Sequence, residues 1–148
     1  MSPAIAEQRA RLLDPDADAA QRSYASLNQL VGLLTLVDGL GLLAFIGTII
    51  MWRVKADESP FLDDHGREAT NAQISWFLLL MGGGVVFGLF VLVTIGIGVI
   101  ALPFFLLYVL FLLVLRVVTV IRAAIAAHRG EYYRYPMTIR FIASPLDA

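Results

Sequence analysis

The chain has 148 residues, of which 59% are apolar and 16% charged, and its mean hydropathy is +0.78. These values lie far from those of soluble domains and indicate a membrane protein. The net charge of −1 provides no field that would hold nucleic acid, so we exclude nucleic acid as a partner. The sequence has no cysteine, which excludes disulfides, thiolate metal sites and cysteine nucleophiles.

The N-terminal segment, residues 1–22, is rich in alanine, aspartate and arginine. It lacks the short apolar core of a signal peptide, so we expect it to remain attached. Its composition and Pro15 predict a flexible tail, with a short surface helix as the alternative.

The first predicted membrane helix runs from Asn28 to Trp52. Its aliphatic residues outweigh the cost of Asp38, about 2.5–3.5 kcal/mol, so the segment should insert. Asp38 is followed by Gly39, a turn signal, which predicts a break in this span. The alternative is a re-entrant hairpin of residues 24–37 and 42–55 with both ends on one side, and we favour the single crossing.

Two further spans follow, because no residue between Glu68 and Arg116 is charged. One helix over residues 74–115 would be about 63 Å long, roughly twice the hydrocarbon thickness of a bilayer. We therefore predict an all-α integral membrane bundle of three transmembrane helices over residues 23–130. An interfacial C-terminal segment, residues 131–148, completes the chain.

Basic residues predict the orientation of this bundle. With three spans, the loop of residues 53–73 and the C-terminus share a side and carry most of the arginine and lysine. The positive-inside rule predicts that both are cytoplasmic in a bacterial inner membrane, with the N-terminus outside. Aromatic anchors fall at the same boundary: Trp52, Trp76, Tyr132, Tyr133 and Tyr135.

The stretch FLDDHGREATNAQISWF, residues 61–77, concentrates charge just before apolar sequence. Asp64, His65 and Glu68 have helical spacings at which three ligands can converge on a metal. Alternatively, the acidic residues favour the positive end of a helix and pair with Arg67 at the water boundary. We favour the second interpretation, and we predict neither a metal nor a cofactor.

Polar and small residues continue into the second span. Asn71 and Ser75 are four residues apart and keep one helix face polar. That face either packs against another helix, which we favour, or lines a polar vestibule. Gly84 and Gly88 have the spacing of close helix packing, within the bundle or between subunits.

Asp38 is the best single candidate for an intramembrane functional residue. An ionisable group near the bilayer centre suggests an ion or proton path. The simpler interpretation is that Asp38 hydrogen-bonds its own broken backbone or caps the second half-helix.

The C-terminal segment HRGEYYRYPMTIRF, residues 128–141, alternates aromatic and aliphatic residues with basic ones. Tyr133, Tyr135 and the apolar residues after them would form one face, with Arg134 on the other. Such a strip suits the lipid headgroup layer, and docking of a partner is the alternative.

The motifs DESPFLDDHGREATNAQISW, residues 57–76, and RGEYYRYPMTIRFI, residues 129–142, resemble a bacterial membrane family of unknown function. That family is distantly related to the twenty-kilodalton Tic component of chloroplast import, and the magnetosome protein MamF is a relative. Thr70 and Ala72 depart from its usual leucine and aromatic residue.

The resemblance implies a structural or assembly subunit that is not an enzyme and that self-associates or binds a membrane partner. A small channel or transporter that uses Asp38 is the alternative.

Overall fold

The computed structural model describes residues 13–144, and within this range the regular secondary structure is helical, with one isolated β-bridge and irregular segments at both ends. The all-α class is therefore confirmed. The helices in chain order are α1 (Ala19–Leu30), α2 (Thr35–Asp38), α3 (Leu42–Lys55), α4 (Pro60–Val93) and α5 (Leu102–His128), with 3₁₀ turns at Val31–Leu34 and Ile97–Ala101.

Helix α1 begins inside the segment that was predicted to be a tail. Asp18 caps it: the Asp18 carboxylate accepts from the Gln21 amide at 2.7 Å, and the Gln21 side chain accepts from the Asp18 amide at 3.3 Å. Just upstream, the Asp14 amide donates to the Gly130 carbonyl at 2.9 Å, so the start of the described chain lies against the end of α5. Residues 1–12 of the predicted tail lie outside the described residues.

The first apolar segment is broken at the predicted position and then reverses direction. Gly39 and Gly41 have φ angles of +69° and +82°, which favour glycine because other residues meet a steric penalty there. Across the fold, the Tyr24 hydroxyl donates to the Met51 carbonyl at 2.7 Å, and Val31 packs against Gly47. Residues 19–55 thus form a helical hairpin, called the hairpin below.

This hairpin does not confirm the favoured prediction of a single crossing by residues 28–52. Both of its ends lie at one end of the molecule, as in the re-entrant alternative. It also corrects the separation of the termini on opposite sides, because Leu13 pairs with Glu131. The physical reason is the glycine pair at the predicted break, which lets the chain turn back where it was expected to continue across the bilayer.

Helices α4 and α5 are the two helices in the described range that are long and apolar enough to cross a membrane. Ser59-Pro60 is a helix-start signal in the sequence, and helix α4 begins there, with the Ser59 hydroxyl accepting from the Leu62 amide at 3.2 Å. The turn between the two helices uses Gly96, whose φ is +84°. A third membrane-crossing helix is not confirmed.

The long helices divide the molecule into two parts. Every buried residue of α4 precedes Phe77, and the buried residues of α5 begin at Leu112. We call residues 13–76 and 112–144 the head, and residues 77–111 the apolar pair. In the apolar pair Val85, Leu92 and Phe104 are 61%, 74% and 75% exposed. Seventeen helical residues rise about 25 Å, close to the roughly 30 Å of bilayer hydrocarbon.

Candidate functional site

One face of α4 carries a ladder of polar side chains through the head. Asp64, Glu68, Asn71 and Ser75 recur at helical spacing and are 1–3% exposed. Buried polar groups need hydrogen-bond partners. The partner of this face is the C-terminal strip, residues 131–144, rather than another helix or a vestibule.

The two carboxylates of the ladder bind arginines of the strip. Arg134 makes a two-point contact with Asp64, with N···O distances of 2.7 and 3.0 Å, and the Ser144 hydroxyl donates to the same carboxylate. Glu68 accepts from the Tyr135 amide at 2.9 Å and lies 3.3 Å from Arg140 Nε. Both carboxylates are buried and both receive two contacts from an arginine, but the Asp64 pair has the shorter N···O distances and is therefore the stronger anchor.

Asn71 and Ser75, the two uncharged side chains of the ladder, hydrogen-bond to the backbone of the strip. The Asn71 side chain donates to the Ile142 carbonyl at 2.9 Å and accepts from the Ile142 amide at 3.0 Å. Ser75 contacts Ile139 in the same two-way manner, accepting at 2.9 Å and donating at 3.4 Å. An amide or hydroxyl that both donates and accepts can satisfy both backbone groups of one residue. The ladder therefore positions backbone as well as charge.

His65 belongs to a separate buried network. Its Nδ1 lies 3.1 Å from the Gln29 amide nitrogen, and its Nε2 lies 3.2 Å from the Glu131 carbonyl. Gln29 also accepts from the Tyr135 hydroxyl at 2.8 Å. With an amide donor facing Nδ1 and a carbonyl facing Nε2, the consistent arrangement is a neutral ring protonated on Nε2. Within residues 13–144, no three acidic or histidine side chains are grouped to hold a metal ion.

Arg67 sits at the edge of the head and connects three segments. Its Nε donates to Asp63 at 2.9 Å, and its Nη1 donates to the Ala143 carbonyl at 2.9 Å. Asp63 also accepts from the Trp52 indole at 2.8 Å. The expected pairing of Arg67 with an acidic residue of the first turns is present, and it ties α3, α4 and the strip together.

The tyrosines of the strip are less exposed than headgroup anchors would be. Tyr135 is 6% exposed and packs with Ala72 and Val120, while the Tyr132 hydroxyl donates to Asp14 at 2.7 Å. Burial raises the pKa of the Tyr132 and Tyr135 hydroxyls above the usual value. Tyr133 is half-buried. The predicted single apolar face is thus split, because Tyr135 points inward.

Beyond Pro136 the strip presents its apolar side chains outward. Met137, Ile139 and Phe141 are 55–59% exposed. Ala72 and Tyr135 belong to one buried apolar cluster.

Asp38 lies at the tip of the hairpin and caps α3. Its two carboxylate oxygens accept from the Gly41 and Leu43 amides, each at 2.8 Å. This is the arrangement of the simpler interpretation, in which the carboxylate satisfies backbone donors at the start of a helix. In the described part of the chain, no ion pair joins Asp38 to Arg116.

The glycines of α4 have two different surroundings. A Cβ on Gly83 would lie 2.4 Å from the Tyr108 ring, so this glycine allows α4 and α5 to pack closely. Gly84 and Gly88 have no such neighbour within 4 Å. Their face therefore points away from the described part of the chain.

Sequence reasoning missed two contributors to the head. Gln29 joins His65 to Tyr135, and its only signal was a polar Asn28-Gln29 pair at the start of an apolar segment. Gly66 was also missed, although a Cβ there would lie 2.2 Å from the Trp52 side chain.

Comparison with known proteins identifies the family. No curated protein and no solved structure matches the chain. A family model matches residues 20–142, a range that contains the hairpin, the ladder and nearly all of the strip. The chain therefore belongs to the magnetosome magnetite crystal formation protein family, MamF/MmsF.

Proposed function

We propose that this protein is a membrane scaffold: a non-enzymatic structural or assembly subunit of a bacterial inner membrane, or of a membrane derived from it, that self-associates. The family description extends the proposal to membranes in which magnetite forms. The observation that carries the proposal is the unoccupied Gly84 and Gly88 face on a membrane helix.

The architecture supports a topology with two crossings. The apolar pair would span the bilayer, and the head would stay on one side with both ends of the described chain. All arginine and lysine residues belong to the sequence before Gly82 or after Tyr108, so the turn of residues 94–101 carries none. The positive-inside rule then predicts a cytoplasmic head.

The hairpin supports partial immersion of the head. Its inner side packs through Ala44, Thr48 and Trp52, which are 0–9% exposed. Its outer side presents Ile46, Ile50 and other aliphatic residues, with Ile46 and Ile50 55% and 57% exposed. This division matches an amphipathic element whose apolar side meets lipid.

Small residues on a membrane helix allow two backbones to approach closely. Gly84 and Gly88 lie one turn apart on α4 and leave a shallow face on the outside of the apolar pair. A second copy of α4 fits such a face, which supports self-association. The ladder contributes rigidity, because it fixes the strip to the helix that presents the glycines.

Native mass spectrometry of the full-length protein, extracted gently from membranes, tests the proposal. We expect a defined homo-oligomer. Gly84→Leu and Gly88→Leu should convert it to monomer, since a branched side chain would hold the backbones apart. Gly82→Leu is the matched control, because Gly82 also has open space beside it but lies on another side of the helix.

A monomeric wild-type protein, or an oligomer unchanged by both leucine variants, would contradict self-association through this face. The transport alternative stays a prediction, and the cap contacts of Asp38 give it no support. Its test is solute or ion flux in liposomes, compared between the wild type and Asp38→Asn.

A further inference from the structure

A polar cluster lies buried where the hairpin tip meets the two long helices. Thr35, Gln73, Trp76 and Arg116 are 0%, 3%, 5% and 5% exposed. Each has one buried polar atom that finds no partner within the described residues: Thr35 Oγ1, Gln73 Oε1, Trp76 Nε1 and Arg116 Nε. Buried polar atoms without partners are rare, so four in one region require an explanation.

These side chains surround two glycines of the hairpin. A Cβ on Gly32 would lie 2.9 Å from Arg116 Nη2, and one on Gly41 would lie 3.2 Å from Thr35 Oγ1 and 3.5 Å from Trp76 Nε1. The Arg116 guanidinium carbon is 6.0 Å from the centre of the Trp76 ring. The donors therefore belong to a single cluster rather than to separate defects.

Arg116 has no carboxylate partner in the part of the chain that the structure describes. Its hydrogen bond is a long one, from Nη2 to the Gly32 carbonyl at 3.4 Å. Arginine stays protonated in proteins, so this is a buried positive charge. Such a charge is strongly unfavourable unless an anion or a set of acceptors compensates it.

A cavity of about 30 Å³ adjoins the cluster, and Trp76, Arg116 and Thr119 are among its lining residues. Thr35 and Gln73 lie outside the lining of this cavity, but Thr35 Oγ1 and Trp76 Nε1 both lie beside Gly41. We propose that a small monovalent anion of the chloride class binds at the edge of the cavity, between Arg116, the Trp76 indole N–H and the Thr35 hydroxyl. Arg116 Nε, Trp76 Nε1 and Thr35 Oγ1 each lack a hydrogen-bond partner within the described residues, and each can donate to a halide. The Gln73 amide nitrogen donates to the Thr48 hydroxyl at 3.5 Å, and half a turn of the side-chain amide would exchange this nitrogen with the unpartnered Gln73 oxygen. The cavity volume suits a single ion rather than the phosphodiester of a lipid.

The full-length protein in nanodiscs of zwitterionic lipid provides the test. The thermal unfolding midpoint is measured while sodium chloride replaces sodium gluconate at constant ionic strength. A specific ligand stabilises the folded state in a saturable way. We expect the midpoint to rise with chloride and then level off, and we expect Arg116→Gln to remove this dependence.

Thr35→Val provides a second, milder variant. It keeps the shape of the side chain and removes one donor, so half of the effect should require about tenfold more chloride, the ratio expected for one lost hydrogen bond to a charged group. This variant decides the result if Arg116→Gln does not fold. Arg122→Gln is the matched control on the same helix, since Arg122 is exposed, and it should respond as the wild type does.

Two outcomes would overturn the proposal. One is a wild-type midpoint that chloride does not change, which would mean that water or no ligand fills the cluster. The other is a chloride dependence that persists in both Arg116→Gln and Thr35→Val, which would place the binding elsewhere on the protein.

Discussion

The pair between Asp64 and Arg134 allows a quantitative test of how the C-terminal strip is held. Asp64→Asn keeps the shape of the side chain but removes its charge and turns an amide donor toward the arginine. The wild-type contact has two N···O distances of 2.7 and 3.0 Å, and the Asp64 side chain is 1% exposed. Removing one partner of a fully buried pair costs about 3–5 kcal/mol.

The expected cost at this position is lower, because water can still reach Arg134. Its side chain is 30% exposed, so it can be hydrated after the pair is lost. We expect the free energy that holds the strip closed to fall by about 2–3 kcal/mol, because charge-assisted hydrogen bonds are lost while the Arg134 charge remains hydrated. This is about a 30- to 140-fold increase in the population of the open strip.

Hydrogen exchange of the full-length protein in nanodiscs measures that opening. The informative amides are those of Tyr135, Ile139 and Ile142, which donate to the ladder at 2.9–3.0 Å. They should exchange faster in Asp64→Asn by the factor given above. Glu58→Gln, in an exposed ion pair with Lys55, should leave them unchanged. If these amides exchange at the same rate in Asp64→Asn as in the wild type, the Asp64–Arg134 pair does not hold the strip on the ladder.

Gly66→Ala should strongly destabilise the head, because the new Cβ would lie 2.2 Å from the Trp52 side chain. Gly82→Ala places its Cβ in open space, so it should stabilise α4 by about 0.5–1 kcal/mol. Unfolding midpoints of both variants check this, and equal effects would contradict the packing. Stability should also depend on pH, because burial raises the pKa of Tyr132 and Tyr135 in the folded state above the unfolded-state pKa of 10.0. The contribution of these neutral hydroxyls to stability is therefore complete below pH 10.0 and is lost as the pH rises above it. Tyrosinate absorbance followed together with unfolding should show this loss, and tyrosines that titrate normally in the folded protein would disagree.

Local signals in the sequence were sufficient for two of the boundaries, although not for the start of α1. Ser59-Pro60 marks the start of α4, and Asp38-Gly39 marks the break in the first apolar segment, since capping and glycine conformation depend on neighbouring residues alone. The long uncharged stretch gave the two membrane helices for the same reason.

The partners across the fold could not be predicted in this way. The polar face of α4 was recognised, but its partner is a strip about 70 residues further along the chain, and helical periodicity carries no information on such a distance. The path of the chain after the break could not be predicted either, because hydropathy does not distinguish a segment that continues across the bilayer from one that turns back to the same side. Tyr24, which closes the hairpin on Met51, gave no signal of that contact.

The topology with two crossings is the central claim, and cysteine labelling tests it most directly. The chain has no cysteine, so Asp18→Cys, Glu58→Cys and Ile95→Cys each provide a single reactive thiol. Ile95 is 92% exposed, at the far end of the apolar pair. With an impermeant thiol reagent applied to one side of the membrane, positions 18 and 58 should react together and position 95 only from the opposite side. Labelling of position 18 together with position 95, and apart from position 58, would contradict the account and restore a third crossing.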